Sequence, residues 1–340
     1  MKFGPVPLEY AEGKILGHNV AGREGRRLLH KGKPLTNGDI VLLRELGRRV
    51  VYVAELEPGD VAEDTAARRV AQAAQGKGVR LLGSATGRVN LLATALGLFR
   101  VDRDRLARLN ECEGITLAAL SSHTTVRPGQ VVATVKIIPY GVPRTAVSRA
   151  EAVAAEGGPL TRVDALKSRF VGMILFGSPS VRNRLFEEFS PLRERVEALG
   201  AKVNTHDYVT LEDEAGESAL VNALQRQRDA GVRLILLAGE TAIMDRHDIM
   251  PRAIEQAGGR VECVGAPVDP GNLLMLAYLG DVAVLGAPGC ARSRKTNVVD
   301  WVLPRLLAGD TLRRSDIIAL GHGGLLEEVP ERPLPRSQID

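Results

Sequence analysis

The sequence predicts an α/β protein with a doubly wound, mostly parallel sheet, preceded by a smaller α+β region with barrel-like β pieces. Three observations carry this. From about residue 170 onward, short continuous apolar runs alternate with amphipathic stretches, the rhythm of strand, helix, strand. Before that point the pieces are shorter and richer in turns. Between the two, Gly157-Gly158-Pro159 breaks both the helical and the strand period. The expected division is 1–158 for the α+β region, 168–310 for the α/β domain and 311–340 for a C-terminal tail, and 340 residues give room for two domains.

In order along the first region, Thr36 with Asp39 three residues on predicts a capped helix running to about Gly47. The alternating, β-branched residues 50–54 read as a strand. Asp60 and Glu63 repeat the capping pattern ahead of an alanine-rich helix ending near Gly76. Residues 79–100 contain Thr86-Gly87-Arg88-Val89-Asn90, which suggests a shaped loop. Residues 102–110 read as a short helix, and 115–120 and 131–138 as strands separated by the Pro128-Gly129 turn. Residues 144–155 resemble a connecting helix.

In the second region, 170–176, 202–209, 232–237 and 260–264 read as strands, with a helical stretch after Ser180 running to 199–200 and helices at about 214–230 and 248–257 between them. Residues 273–278 and 282–285 flank Leu279-Gly280-Asp281 as a hairpin, and 295–307 is the last clear helix. Ligands of such sheets bind outside the C-terminal strand ends. Function is therefore expected in the loops after Phe176, Val209, Leu237 and Leu285.

Composition narrows the function classes. Lys and Arg total 45 against 41 Asp and Glu, a net +4, and the cations are scattered, with short clusters at 23–27 and 292–295. Aromatics are 4%. Neither pattern suits a nucleic-acid partner. The three cysteines, Cys112, Cys263 and Cys290, have no metal-site spacing and argue for a reducing compartment. No stretch reaches the length of a membrane helix, and residues 1–5 lack the apolar run of a signal peptide, so a cytoplasmic protein without a membrane partner is expected.

The loop Gly239-Glu240-Thr241-Ala242-Ile243-Met244-Asp245-Arg246-His247-Asp248 leaves a buried strand and enters a helix. Gly239 permits close backbone approach, Thr241 offers a hydroxyl, and the helix start presents free N–H groups to an anion. Asp248, with Pro251 in the first turn, reads as a helix cap; the same residue and Asp245 could also hold Mg²⁺ through waters. In the loop 286–295, Pro288-Gly289 turns the chain, and Ser293 with Arg292, Arg294 and Lys295 would suit a phosphate. Cys290 reads as a packing residue. In Pro267-Val268-Asp269-Pro270-Gly271-Asn272, Asp269 or Asn272 could face a ligand, or the segment is only a turn. Asp213 is a candidate site carboxylate, although acidic residues at 212–214 also suit the start of a helix. No histidine has a metal-site partner by spacing.

Taken together, these loops resemble the molybdopterin-binding domain shared by the MogA and MoaB proteins and the molybdotransferase MoeA, over about residues 170–310. Ala238-Gly239-Glu240-Thr241 leading to Asp248 and Pro251 is similar to the family's Thr-Gly-Gly-Thr/Ser loop and its catalytic Asp and Pro. Pro267–Gly271 is loosely similar to its lysine-proline-glycine segment, and Ala287-Pro288-Gly289-Cys290-Ala291 to its Leu-Pro-Gly-Asn-Pro loop. Glu240 departs from the pattern, standing where the family has its second glycine, and one extra residue precedes Asp248. The chain resembles more closely the molybdopterin-binding half of fusions with MobA-like nucleotidyltransferases. The motifs are residues 1–7 and 56–61, Thr86-Gly87-Arg88-Val89-Asn90, Val135-Lys136-Ile137-Ile138-Pro139, Val268-Asp269-Pro270-Gly271-Asn272 and Pro288-Gly289-Cys290-Ala291-Arg292-Ser293.

The resemblance implies a MoaB/MogA-like fold and a role in molybdenum cofactor biosynthesis, with molybdopterin as ligand or substrate. If the chain is a molybdopterin molybdotransferase, it inserts molybdate from adenylylated molybdopterin with Mg²⁺. Asp248, Asp245 and Asp213 would then do the chemistry, and Gly239, Glu240, Thr241, Asp269, Asn272, Pro288, Gly289, Arg292, Ser293 and Lys295 would bind the cofactor. The alternative is a non-catalytic carrier or sensor of the molybdenum cofactor, working with a separate MobA-like nucleotidyltransferase. A further alternative is a CinA-like nucleotide pyrophosphatase. The resemblance also implies a homo-oligomer.

Overall fold

The computed structural model describes residues 1–22, 25–166, 170–211 and 214–326, without the side chains of Ser84 and Glu214. The chain forms two compact units, Met1–Asp164 and Ala165–Asp340.

The first unit holds two small cores. In one, strands Lys2–Pro7 and Ile15–Leu16 flank Val50–Glu55, all antiparallel. Helix Asn37–Glu45 packs Ile40 and Leu43 against Leu16, Val51 and Val53. Its start is the expected capping box: Asp39 N donates to Thr36 Oγ1 at 3.3 Å, and Thr36 N donates back to Asp39 Oδ2 at 2.9 Å. Hydrogen bonds from the Lys33 ammonium and from Thr36 hold the Asp39 carboxyl down to about 2.

The second core lies under a four-stranded antiparallel sheet ordered Ile115–Ala119, Val131–Ile137, Arg88–Ala93, Val79–Ala85. Helices Glu63–Ala74 and Arg144–Ala155 pack there, the former through a stripe of Ala66, Ala67, Val70, Ala71 and Ala74. Small side chains at helical spacing let a helix lie close to its neighbours. Residues 79–100 are mostly strand: Val79–Ala85, Arg88–Ala93 and Gly97–Val101. Thr86 (φ 56°) and Gly87 (φ 68°) make the two-residue turn of the first hairpin. Such turns ordinarily carry Asn or Asp before Gly, so threonine at the first left-handed position hid the signal.

The second unit is built from β1 (Phe170–Gly177), α1 (Arg182–Glu188), α2 (Ser190–Ala198), β2 (Lys202–Thr210), α3 (Glu214–Asp229), β3 (Leu234–Gly239), α4 (Ile249–Gln256), β4 (Arg260–Val264), β5 (Met275–Leu279), β6 (Val282–Gly286), α5 (Val299–Ala308) and α6 (Arg314–Ile318). The sheet order is β2-β1-β3-β6-β5-β4. Neighbours β2, β1, β3 and β6 run parallel, and β5 alone is reversed, antiparallel to both β6 and β4.

Both faces of this sheet are covered, which is why its inner strands β1, β3, β5 and β6 read as unbroken apolar runs, while the edge strands β2 and β4 alternate. Val171, Met173, Leu175, Leu234 and Leu236 face a core with Leu192, Val196, Val302 and Leu306. The alternate residues Ile174, Phe176, Ile235 and Leu237 face another with Leu220, Leu224, Ala253 and Ile254. A leucine as buried as Leu236 contributes about 2–3 kcal/mol by burial.

The helical stretch expected between Ser180 and Leu199 is two helices, α1 and α2, parted at Phe189 with Pro191 in the first turn of the second. α5 starts at Val299, four residues later than the sequence suggested, and ends at Gly309 in the left-handed conformation (φ 103°). Beyond it, Leu312 and Ile317 join the core. The glycine-rich stretch that follows is packed: Asp269 N donates to the Gly324 carbonyl at 2.8 Å and Leu326 N to the Asp269 carbonyl at 2.9 Å. Among the described residues, no helix is long and apolar enough to cross a membrane.

Candidate functional site

The C-terminal ends of β1, β3 and β6 lie side by side, and each strand ends in glycine: Gly177, Gly239 and Gly286. The glycines are a packing requirement. A Cβ on Gly239 would overlap the Phe176 ring, one on Gly177 would press on Glu240, and one on Gly286 on Ile243 and Met275. Without side chains there, three loops close over one another at the strand ends, where parallel α/β sheets hold ligands.

Two side chains tie these loops together. Glu240 Oε2 accepts from the Ser178 amide at 2.9 Å and the Ser178 hydroxyl at 3.1 Å, joining the β3 and β1 loops. These bonds, with the charges of Arg184 and Arg292, hold its carboxyl below the usual range. Arg292 Nη2 donates to the Gly239 carbonyl at 2.6 Å, joining the β6 and β3 loops. Its guanidinium lies over the Phe189 ring, 4.9 Å from the centroid, and sits 3.4 Å from Glu188 Oε2. Arg292 Nε and Glu188 Oε2 are both buried atoms without a hydrogen-bond partner.

The β6 loop is shaped from beneath by Arg195 and Asn297. Arg195 donates to the Ser293 and Lys295 carbonyls, each at 2.9 Å, to the Ala291 carbonyl at 3.3 Å, and to Asp300 Oδ1 at 2.9 Å. Asn297, 1% exposed, donates to the Lys295 carbonyl and accepts from Val299 N, while its own N–H donates to Asp300 Oδ2 at 2.9 Å. Ser293 Oγ accepts from Lys295 N at 3.1 Å. Arg294 is turned outward in a two-point pair with Glu194, at 2.8 and 2.6 Å. Of the three cations expected to gather on a phosphate, Arg294 thus pairs with Glu194 and Arg292 clamps the loops.

Asp248 does not make the helix-cap hydrogen bond expected of it. Its Oδ2 reaches back to accept from Met244 N at 2.6 Å and Asp245 N at 3.1 Å, closing the loop on itself. Asp245 Oδ1 accepts from His247 N at 2.8 Å and meets His247 Nδ1 at 2.7 Å, and these contacts lower its pKa. Among the described residues, no three His, Cys, Asp or Glu side chains gather as a metal-ligand set.

Of the other expected residues, Thr241, Gly289, Ser293 and Lys295 are exposed at the strand-end loops, and Pro288 is buried beneath them. Asp269 and Asn272 lie on a loop that packs beside the β6 loop: Val298 N donates to the Pro270 carbonyl at 3.2 Å, and a Cβ on Gly271 would overlap Val298. Asp213 lies outside the described residues. Ser178, Glu188, Arg195 and Asn297 belong to the site's framework and were not expected. Asn297 with Asp300 three residues on is a capping signature that could have marked the true start of α5. Arg195, in mid-helix, has no sequence signal.

The fold and the site together define an α/β domain that presents a hydrogen-bonded cluster of amides, carbonyls and hydroxyls at its strand ends. Residues 5–55, in the other unit, match a family described as Domain of unknown function (DUF8806). No curated protein matches the sequence. Among solved structures, the chain is similar to a molybdenum cofactor biosynthesis protein from Pyrococcus furiosus (13% identity, 94% of this chain and 65% of that one, TM-score 0.25). It is also similar to a molybdopterin biosynthesis MoeA protein from Pyrococcus horikosii (13% identity, 91% and 75%, TM-score 0.31). A third is a molybdopterin biosynthesis Mog protein from Mycobacterium ulcerans (15% identity, 40% and 91%, TM-score 0.26). The chain thus spans just under two thirds of the length of the first of these, 65%.

Proposed function

We propose that this chain binds molybdopterin at the strand-end loops of its second unit and works in molybdenum cofactor biosynthesis. One observation carries the reading. The loops that resemble the family's binding segments, at 239–248 and 287–295, lie at adjacent strand ends and are joined there by the Arg292 contact to Gly239. The segment at 267–272, which resembles a third, packs against Val298, just before α5. Fixed amides and hydroxyls at such a place hold a phosphorylated ligand without reorganising.

Two versions follow. In one, the chain inserts molybdate from adenylylated molybdopterin, with Asp248, Asp245 and Asp213 as the acting carboxylates. In the other, it carries or senses the cofactor and passes it to a separate MobA-like nucleotidyltransferase. The engagement of Asp248 Oδ2 by two backbone amides favours the second, because a carboxylate that closes its own loop is not poised for proton or metal work. Incubating the purified chain with adenylylated molybdopterin and molybdate separates them. Release of AMP supports the transferase, binding without AMP release supports the carrier, and failure to bind molybdopterin contradicts both.

A further inference from the structure

The strand-end site already contains an anion, and it belongs to the protein. The Glu240 carboxylate sits on the Ser178 amide and hydroxyl, at 2.9 and 3.1 Å. The Ser180 hydroxyl is 3.2 Å from that of Ser178. Arg184 and Arg292 flank the group: both act on the Glu240 charge, and both are held from the other side by Glu188, at 3.4 Å each. One backbone N–H and one hydroxyl on the carboxylate oxygen, a second hydroxyl next to the first, and two guanidinium charges nearby are the kind of donors an oxyanion site uses.

We propose that the Ser178–Ser180 loop is a phosphate site that Glu240 plugs in the unliganded chain, and that the phosphate of an incoming ligand displaces the Glu240 carboxylate. The identity of that ligand rests on the molybdopterin reading; the plug does not. A phosphate oxygen takes the same Ser178 donors and brings further oxygens to Ser180 and Arg184. Glu240 can leave without disturbing the sheet. Its backbone is pinned by the hydrogen bond from its N–H to the Phe176 carbonyl, at 2.9 Å, while its side chain is exposed. Gly177 is the matching half of the device. A Cβ there would stand 3.0 Å from both Glu240 Cβ and Glu240 Oε2, so only glycine leaves the path across the loop open. The plug also accounts for a glutamate on a loop meant for anions. Its charge excludes weak anions and is given up to one that makes more contacts.

Calorimetric titration of the full chain with inorganic phosphate tests this. Glu240→Ala is expected to bind phosphate about tenfold more tightly than the wild type, and Glu240→Gln, which keeps an acceptor but loses the charge, to fall between them. Adding Ser178→Ala and Ser180→Ala to Glu240→Ala is expected to remove most of the gain, with thermal unfolding verifying that each variant is folded. Unchanged or weaker phosphate binding by a folded Glu240→Ala overturns the proposal, as does a gain that survives loss of both serine hydroxyls. If phosphate tightens as expected but the wild type does not bind molybdopterin, the plug stands and the functional reading falls. If molybdopterin binds but phosphate does not tighten, the reverse holds.

Discussion

Arg292 and Gly239 are 53 positions apart in the chain, yet the guanidinium of one donates to the carbonyl of the other at 2.6 Å. That single bond joins the ends of two neighbouring parallel strands. It also places Arg292 between Phe189, on whose ring it lies, and Glu188. The cation that the sequence marked for a ligand's phosphate is therefore first a structural clamp.

Arg292→Ala removes a hydrogen bond, a ring contact and one of the two ion pairs of Glu188, which keeps Arg184. The expected loss is about 2 kcal/mol, read from urea unfolding. Arg292→Lys should recover only part of it, because a point charge cannot stack on Phe189 and reach the Gly239 carbonyl together. Full recovery by lysine would show that only the charge matters.

Gly239→Ala tests why a glycine ends β3. The added methyl overlaps the Phe176 ring, and about 2 kcal/mol of destabilisation is expected. A second change, Phe176→Leu, should restore part of the loss in a double-mutant cycle. Independent, additive effects would place the glycine's role elsewhere.

Asn297→Ala should be as costly, about 2–3 kcal/mol, since a buried side chain that serves both Lys295 and Val299 is removed. Hydrogen exchange should quicken at the amides of 293–300 before it quickens in the sheet. An unchanged exchange pattern would mean that Arg195 alone shapes the loop.

The first unit carries a pH signature. The Asp39 carboxyl is lowered from 3.8 to about 2 by Lys33 and Thr36. A lowered carboxylate adds stability above its unfolded value that is lost as the pH falls through the folded one. This contribution is full above about pH 5 and is lost progressively as the pH falls through about 2, gone only near pH 1. Asp39→Asn should cost about 1 kcal/mol at neutral pH and flatten that acid limb in unfolding measurements. An acid limb identical to the wild type would assign the sensitivity to other groups.

What the sequence made legible was periodic or local. Runs such as 232–237 declared buried strands, Thr36 and Asp39 declared a cap, and the loops after two strands stood out by their glycines and prolines. What it hid was non-local or borrowed an unusual residue. Nothing near Arg195 says that it reaches the carbonyls of Ser293 and Lys295. Asp248 looked like a helix cap but bonds backward into its own loop. The Thr86-Gly87 stretch stood out as a loop, but that it is a two-residue hairpin turn escaped because threonine seldom takes a left-handed conformation. The strand-end location followed from general rules of α/β sheets, whereas the partners of each charge required the fold.

Equilibrium titration of the full chain with molybdopterin tests the central claim most directly, comparing the wild type with Arg292→Ala. Saturable one-site binding by the wild type, weakened about tenfold when the clamp between the loops is removed, is the expected result. An absence of binding by folded wild-type protein would contradict the assignment of molybdopterin to this chain. Binding that a folded Arg292→Ala leaves unchanged would place the ligand away from these strand ends.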